Sequence, residues 1–212
     1  MYIYILLCLI QTFSLQTSAQ QLPSDCTTTT PGRNVEILKI PTTNGVDIFE
    51  VYCELGDLDE KPWLVVFLRK KHKYEYGRWQ DYTQGYHTLS GNYFIGLQRL
   101  HAITNRQPHE LIVQLILSDG MQHYMHFADF AIGNESNIYG VSKLGKYVGT
   151  QQMVESSEWL PWQMKSIETI ARMKISIKPV DKNATRADKQ KLKSIEKIKR
   201  RVKALSGITK VR

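Results

Sequence analysis

The sequence predicts an α+β fold in which short helices pack against an antiparallel sheet. Short apolar runs rich in β-branched and aromatic residues recur between polar turns from residue 35 onward. An alternating segment and an aromatic segment flank a polar turn at residues 118–120, which is a hairpin pattern. Two other segments space their apolar residues as on one face of a helix.

Residues 1–19 are predicted to be a secretory signal peptide, because an apolar run ends in the small residues Thr17-Ser18-Ala19. No basic residue precedes the apolar core, which departs from the usual signal pattern, and a membrane anchor is the alternative interpretation. Unbroken apolar sequence ends at Ile10, whereas a transmembrane helix needs roughly 20 residues. We therefore predict no transmembrane span, and a domain over residues 20–180.

Three strands are predicted first, over residues 35–40, 46–52 and 63–68. The third is continuously apolar, which indicates a buried strand. Helical spacing then relates Trp79, Tyr82 and Tyr86, and a second short helix is expected around Leu97 and Leu100.

The hairpin strands are predicted over residues 110–117 and 123–132. In the last segment Met173, Ile175 and Ile177 alternate with polar residues, so we predict a half-buried strand that ends at Pro179. We expect the aromatic side chains to pack in the core, and this expectation covers Trp63, Trp79, Tyr82, Tyr93, Phe94, Trp159 and Trp162.

The positive charge lies at one end of the chain. Residues 181–212, the basic tail, hold 12 Lys and Arg and 3 Asp and Glu, a net of +9. Residues 1–180 hold the other 16 Lys and Arg and 17 Asp and Glu, a net of −1. Apolar residues in the tail recur at helical spacing, which predicts a basic amphipathic helix. The basic cluster predicted to bind polyanions is Lys197, Lys199, Arg200, Arg201 and Lys203.

Three interpretations of the basic tail stay open. It is a solvated end, a surface for heparin-like glycans or anionic lipids, or a helix that contacts a partner helix. A nucleic-acid partner is not expected for a secreted chain.

Cys26 and Cys53 remain after removal of the signal peptide, and an even pair in a secreted chain indicates a disulfide. Two buried free thiols are the alternative. Two sequons, at Asn134 and Asn183, are candidate glycosylation sites.

No enzyme signature is present. The sequence contains no Gly-x-Ser-x-Gly elbow and offers no activated thiol once the two cysteines pair. His123 and His126 are three apart on a predicted strand, so they face opposite sides and do not form a metal pair. His101 is expected to be a packed, hydrogen-bonded histidine. We predict no catalytic residue, no metal and no cofactor.

Several motifs follow one another in a recognisable order. They are Ser24-Asp25-Cys26, Phe49-Glu50-Val51-Tyr52-Cys53, Trp63 with its strand, Trp79-Gln80-Asp81-Tyr82, and Gly91-Asn92-Tyr93-Phe94-Ile95-Gly96-Leu97. Together with residues 109–150 and 159–179, this series resembles the fibrinogen C-terminal (fibrinogen-related, ficolin- and tachylectin-like) globular domain. The resemblance implies a twisted antiparallel sheet, and it implies that Cys26 and Cys53 form the first family disulfide.

The resemblance also implies a truncation. Only residues 151–158 stand where the family has its calcium loop, second disulfide and ligand pocket. No Asp occurs between Thr150 and Asp181, and Glu155, Glu158 and Glu168 do not have the spacing of a calcium loop, so no set of hard oxygen ligands for calcium is expected there. We expect neither calcium binding nor glycan recognition in the usual pocket.

Two functions are therefore considered. The first is a secreted, extracellular, non-enzymatic binding or signalling protein that acts as an interaction module toward a protein or glycan. The alternative is a degenerate or mis-spliced lectin-like member of the family without calcium or glycan recognition.

Overall fold

The computed structural model describes residues 22–28, 35–42, 45–55, 61–70, 78–88, 91–149, 160–161 and 170–181. The strands in these ranges are β1 (Val35–Thr42), β2 (Gly45–Leu55), β3 (Pro62–Arg69), β4 (Tyr86–His87), β5 (Tyr93–Phe94), β6 (His109–Leu117), β7 (Gln122–Ile132), β8 (Val141–Leu144), β9 (Tyr147–Gly149) and β10 (Ile170–Pro179). The helices are α1 (Trp79–Gln84) and α2 (Leu97–Arg106).

The strands form one antiparallel sheet in the order β1-β2-β3-β10-β6-β7-β8. Outside this order, β5 pairs with β3 and with β4, and β9 pairs with β7. The predicted α+β class with an antiparallel sheet is confirmed. The hairpin of β6 and β7 turns at residues 118–120, where Met121 N donates to Asp119 Oδ1 at 2.8 Å.

The main core lies on the face of the sheet that the helices cover. Leu97, Leu100 and Ile103 of α2 are buried there, and α2 contacts β1 and β7. The alternation predicted for β6 is confirmed, since Leu111, Val113 and Leu115 are buried together on this face. Because the apolar stripe of α2 meets the apolar face of the strands, the helix is fixed across the sheet.

Two glycines set the approach of the helices. Gly85, with a φ of 91°, ends α1, and Gly96, with a φ of 97°, precedes α2. A Cβ on Gly85 would lie 2.7 Å from the Ile95 carbonyl carbon, and one on Gly96 would lie 2.6 Å from the carbonyl carbon of Gln84. The two backbones touch at a place where only glycine fits.

The helical spacing that linked Tyr86 to Trp79 and Tyr82 was misleading. The helix α1 ends at Gln84, and Tyr86 belongs to β4. Trp79 was predicted to be buried but is 46% exposed, because it is the first residue of a six-residue helix at the surface. Trp63, Tyr93 and Phe94 are buried and Tyr82 partly so, whereas Trp159 and Trp162 lie outside the described residues.

The strand β10 was predicted to be half-buried but is buried on both faces over much of its length. It lies between β3 and β6, and Ser176 and Lys178 are only 6% and 5% exposed. The Lys178 ammonium lies 4.5 Å from the centroid of the Trp63 ring. Polar residues at alternate positions therefore did not indicate a solvent-facing side, because neighbouring strands cover the lysine stem.

The disulfide between Cys26 and Cys53 is present, with 5.7 Å between the Cα atoms. It ties the segment before β1 to β2, and Lys39 N of β1 donates to Pro23 O at 2.9 Å. No described helix is long and apolar enough to cross a membrane.

Two candidate binding clefts beside Arg99

The side chain of Arg99 joins three parts of the fold. Its Nε donates to Asp47 Oδ2 at 2.6 Å. Its Nη1 donates to the carbonyls of Gln84 at 2.7 Å and Ile95 at 3.0 Å. The guanidinium carbon lies 4.4 Å from the centroid of the Phe49 ring, a cation–π distance. The arginine thus connects β2, the end of α1 and the turn before α2.

A cleft lies on either side of this ion pair. The larger cleft, of about 740 Å³, lies among the tip of the hairpin β1–β2, the helix α2 and the segment after β7. Its lining residues are Pro41, Thr42, Val46, Asp47, Gln98, His101, Ala102, Asn134, Glu135, Ser136 and Tyr139. Amide, hydroxyl, carboxylate and apolar groups are mixed in this lining.

The wall of the larger cleft contains strained backbone. Ile138 and Tyr139 have φ values of 51° and 50°, in the left-handed region that β-branched and bulky residues avoid. Such residues cost about 1–3 kcal/mol each and persist only where their surroundings hold them. Here Tyr139 N donates to Asn134 O at 3.0 Å, and Gly133 N donates to Gly140 O at 2.7 Å. The strained turn is closed by its own backbone.

Side chains of the floor are fixed as well. His101 Nδ1 lies 3.0 Å from the carbonyl oxygen of Ile132, to which Asn105 Nδ2 also donates at 2.8 Å. The prediction of a packed, hydrogen-bonded His101 is confirmed. Tyr139 is only 3% exposed, and burial, followed by the charge of Glu135, raises the pKa of its hydroxyl. The phenol therefore stays neutral at physiological pH.

The smaller cleft, of about 340 Å³, is mainly aromatic. Its lining residues are Val35, Phe49, Glu50, Val51, Tyr52, Gly85, Tyr86, His87, Tyr93, Phe94, Ile95 and Arg99. Tyr52 meets Tyr93 edge-on, with ring centroids 5.1 Å apart, and the Tyr52 hydroxyl lies 3.1 Å from His87 Nε2. Burial raises the pKa of Tyr86 and of Tyr93, so both phenols are neutral.

A cluster of Glu110, His126 and Lys178 lies on the opposite face of the sheet from the main core. Glu110 Oε2 is 2.9 Å from His126 Nε2, and Glu110 Oε1 is 3.9 Å from Lys178 Nζ. His126 is thus engaged by a carboxylate on the neighbouring strand. Within the described ranges, no group of three or more His, Cys, Asp and Glu side chains could hold a metal ion.

One predicted modification site lies on the larger cleft. Asn134 is exposed on its rim, and Ser136 Oγ donates to Asn134 Oδ1 at 2.7 Å. The other predicted features lie outside the described residues: the signal peptide, Asn183 and the basic cluster of Lys197, Lys199, Arg200, Arg201 and Lys203.

Sequence reasoning did not find either cleft. The ion pair between them joins Asp47 to Arg99, which are 52 positions apart, and no local pattern connects the two. Gly85 and Gly96, where the two turns touch, are a signal in the sequence near the clefts, but a glycine alone does not indicate a cleft.

Comparison with known proteins places these features in a family. Residues 23–190 match the C-terminal globular domain of fibrinogen beta and gamma chains. Over 116 residues the chain is 32% identical to mouse angiopoietin-related protein 7. The aligned region covers 53% of this chain and 34% of that protein. Over 86 residues it is 34% identical to mouse fibrinogen C domain-containing protein 1, covering 40% of this chain and 18% of the relative.

Structural comparison gives the same fold. The fibrinogen-like globe domain of human ANGPTL2 superposes with a TM-score of 0.58 and 18% identity, covering 75% of this chain and all of that domain. The chain spans about a third of the length of angiopoietin-related protein 7. It belongs to the family of the C-terminal globular domain of fibrinogen beta and gamma chains.

Proposed function

We propose that the chain is a secreted, extracellular, non-enzymatic interaction module that binds a protein partner through the larger cleft. The observation that carries the proposal is the strained turn at Ile138 and Tyr139 in the wall of that cleft. Strained backbone is retained mainly at functional sites, and a fixed wall lowers the entropy that binding must overcome.

The composition of the larger cleft suits a protein surface. Backbone and side-chain amides of a partner loop can pair with Gln98, Asn134 and Ser136, while Val46 and Ala102 offer apolar contact. Asp47 is neutralised by Arg99, which leaves the exposed Glu135 as the uncompensated charge of the lining. A partner that brings a Lys or Arg to this rim is therefore favoured.

Secretion and the absence of catalysis belong to the same proposal. The disulfide between Cys26 and Cys53 supports an oxidising compartment. The clefts offer hydrogen-bonding and apolar groups rather than a nucleophile beside a base, which supports binding. The protein needs no cofactor or calcium in this proposal.

The test uses tagged full-length protein collected from the medium of cultured cells, with binding to cell surfaces measured by flow cytometry. Wild-type protein should appear in the medium and bind saturably. Glu135→Lys reverses the rim charge while keeping Asn134 and Ser136, so the sequon stays intact. We expect it to weaken binding about tenfold, in line with the loss of one interfacial charge pair.

Asp119→Lys is the matched control, because it makes the same charge change at the exposed turn between β6 and β7. Equal melting temperatures would show that both variants fold. Retention of the wild-type chain in cells, or equal loss of binding in both variants, would contradict the proposal. The first outcome would favour the alternative of a degenerate or mis-spliced lectin-like member of the family.

A further inference from the structure

The hydroxyl of Tyr93 is a buried polar group without a partner in the part of the chain that the structure describes. The residue is only 6% exposed and lines the smaller cleft. Buried hydroxyls in native proteins almost always have a hydrogen-bond partner, and leaving one unpaired costs free energy. The unpaired hydroxyl therefore points to a group that arrives from outside.

The charge beside this hydroxyl is that of Arg99. Burial raises the pKa of Tyr93, and Arg99 acts against that shift, so its positive charge acts on the phenol. Nε and Nη1 of Arg99 are engaged by Asp47, Gln84 and Ile95, whereas Nη2 takes part in none of these three hydrogen bonds. A phenol hydroxyl and a guanidinium N–H both donate, so the complementary group is an acceptor, and a negative one forms the stronger bonds.

The remainder of the smaller cleft is mainly aromatic, with the exposed Glu50 as an acidic group in the lining. Phe49, Tyr52, Tyr86 and Phe94 supply ring surface, and the exposed Val35 and His87 lie at its edge, so the cleft is open to solvent. Its volume of about 340 Å³ lies within the range of small-molecule sites. It has room for one ring or branched chain attached to one small polar group.

We infer that the smaller cleft binds a small organic carboxylate whose aromatic or aliphatic group packs against these rings and whose carboxylate meets the Tyr93 hydroxyl and Arg99. The site is separate from the larger cleft, and it does not depend on the proposed protein partner. An aromatic pocket with Glu50 at its edge could instead attract an organic cation, and the test distinguishes the two. The Arg99 guanidinium in the lining opposes a cation.

The probes are 3-phenylpropionate, 3-phenylpropan-1-ol and 3-phenylpropylamine, which share one ring and differ in the polar group. Each is titrated by NMR into the secreted full-length protein. We expect the carboxylate to bind at least tenfold more tightly than the alcohol, and the amine to bind most weakly. Tyr93→Phe should weaken carboxylate binding about tenfold, because a hydrogen bond to a charged group is lost.

The same variant has a second expected property. Because the Tyr93 hydroxyl is unpaired in the free protein, Tyr93→Phe should keep or raise the melting temperature. Tyr139→Phe removes a hydroxyl from the larger cleft and should leave carboxylate binding unchanged. The inference is overturned if the amine binds at least as tightly as the carboxylate, if the carboxylate does not bind at millimolar concentration, or if Tyr93→Phe leaves its affinity unchanged.

Discussion

Asp47 and Arg99 form an ion pair across the fold, with 2.6 Å between Oδ2 and Nε. The two side chains are 35% and 27% exposed, so the pair is only partly shielded from solvent. Its position matters more than its charge alone, because it holds the tip of the hairpin β1–β2 beside α2. Both clefts border on this one contact.

Asp47→Asn tests how much this contact stabilises the domain. The amide keeps the shape of the carboxylate but removes the charge that pairs with the Arg99 guanidinium. We expect the free energy of unfolding to fall by about 1–2 kcal/mol, as for the loss of one partly exposed, charge-assisted hydrogen bond. Urea unfolding measures it, and Asp119→Asn at the exposed turn is the control. Equal stability of wild type and Asp47→Asn would show that the ion pair stabilises the domain no more than ordinary surface charges do.

His109 makes stability depend on pH. It is 1% exposed, its Nδ1 lies 2.8 Å from the carbonyl oxygen of Gln107, and burial lowers its pKa below the ordinary 6.5. The unfolded chain therefore takes up a proton near pH 6.5 that the folded protein takes up only at lower pH. The free energy that the neutral His109 contributes to stability is fully present above about pH 6.5. It is lost as the pH falls below that value, by at most about 1.4 kcal/mol per pH unit.

His109→Asn should flatten this part of the pH profile, since Asn can still donate to the Gln107 carbonyl but does not titrate. Chemical unfolding from about pH 7.5 to about pH 5 measures the slope. The same substitution at the partly exposed His123 leaves His109 in place and should keep the slope. An unchanged slope in His109→Asn would assign the acid sensitivity to other groups.

The disulfide between Cys26 and Cys53 encloses 26 residues, a loop for which closure entropy gives a stabilisation of about 3 kcal/mol. Replacing both cysteines by serine should lower the free energy of unfolding by about that amount and release the segment before β1. Peptide mapping without reductant should show the bridge in the native protein. Two alkylatable thiols there would contradict the assignment.

Calcium is expected to have no effect on stability, because no Asp occurs between Thr150 and Asp181, where the resemblance places the calcium loop of the family. A ligand that binds only the folded state adds about 2.7 kcal/mol at a hundredfold excess over its Kd. Melting curves in millimolar calcium and in chelator should therefore coincide. A reproducible rise of several degrees would indicate a calcium site elsewhere, for example around Asp57 and Asp59.

The basic tail is expected to carry the affinity for heparin-like polyanions, since residues 181–212 sum to +9 and the rest to −1. A chain that ends at Pro179 should elute from heparin at lower salt than the full chain. The contact should weaken steeply with salt, as the screening length falls from about 10 Å at 0.1 M to about 3 Å at 1 M.

A full-length variant with Gln at Lys197, Lys199, Arg200, Arg201 and Lys203 separates charge from length. It should elute close to the shortened chain. Protein with its natural glycosylation is used, because a glycan at Asn183 would lie within the tail, ahead of the basic cluster in sequence. Co-elution of the full and shortened chains would mean that the tail is a solvated end.

The sequence predicted much of the sheet because its signals are local. Alternation located β6, the aromatic segment after the turn at residues 118–120 located β7, and the apolar run at residues 63–68 located β3. The same reasoning failed for Trp79, whose burial depends on how short α1 is, and for Lys178, which is covered by Trp63 from a strand more than 100 positions away. Side-chain burial on a central strand is set by neighbours that no local pattern contains.

The candidate site was less predictable than the fold. The larger cleft requires the hairpin tip, α2 and the strained turn together, and the left-handed conformation of Ile138 contradicts its residue type. The unpaired hydroxyl of Tyr93 could not be predicted either, since the local sequence around a buried tyrosine does not show whether its hydroxyl has a hydrogen-bond partner. Of the residues in the larger cleft, Asn134 and His101 were singled out from the sequence, but as a glycosylation site and as a packed histidine and not as parts of a cleft.

The central position of β10 has a consequence for synthesis of the protein. During translation β3 and β6 emerge long before residues 170–179, so until then the two halves of the sheet lack the strand that joins them. Each half presents an open edge, which is where nascent chains pair wrongly with one another. We expect completion of the domain to wait for β10 to leave the ribosome. A stop codon before residue 170 would then yield an aggregating fragment rather than a smaller domain.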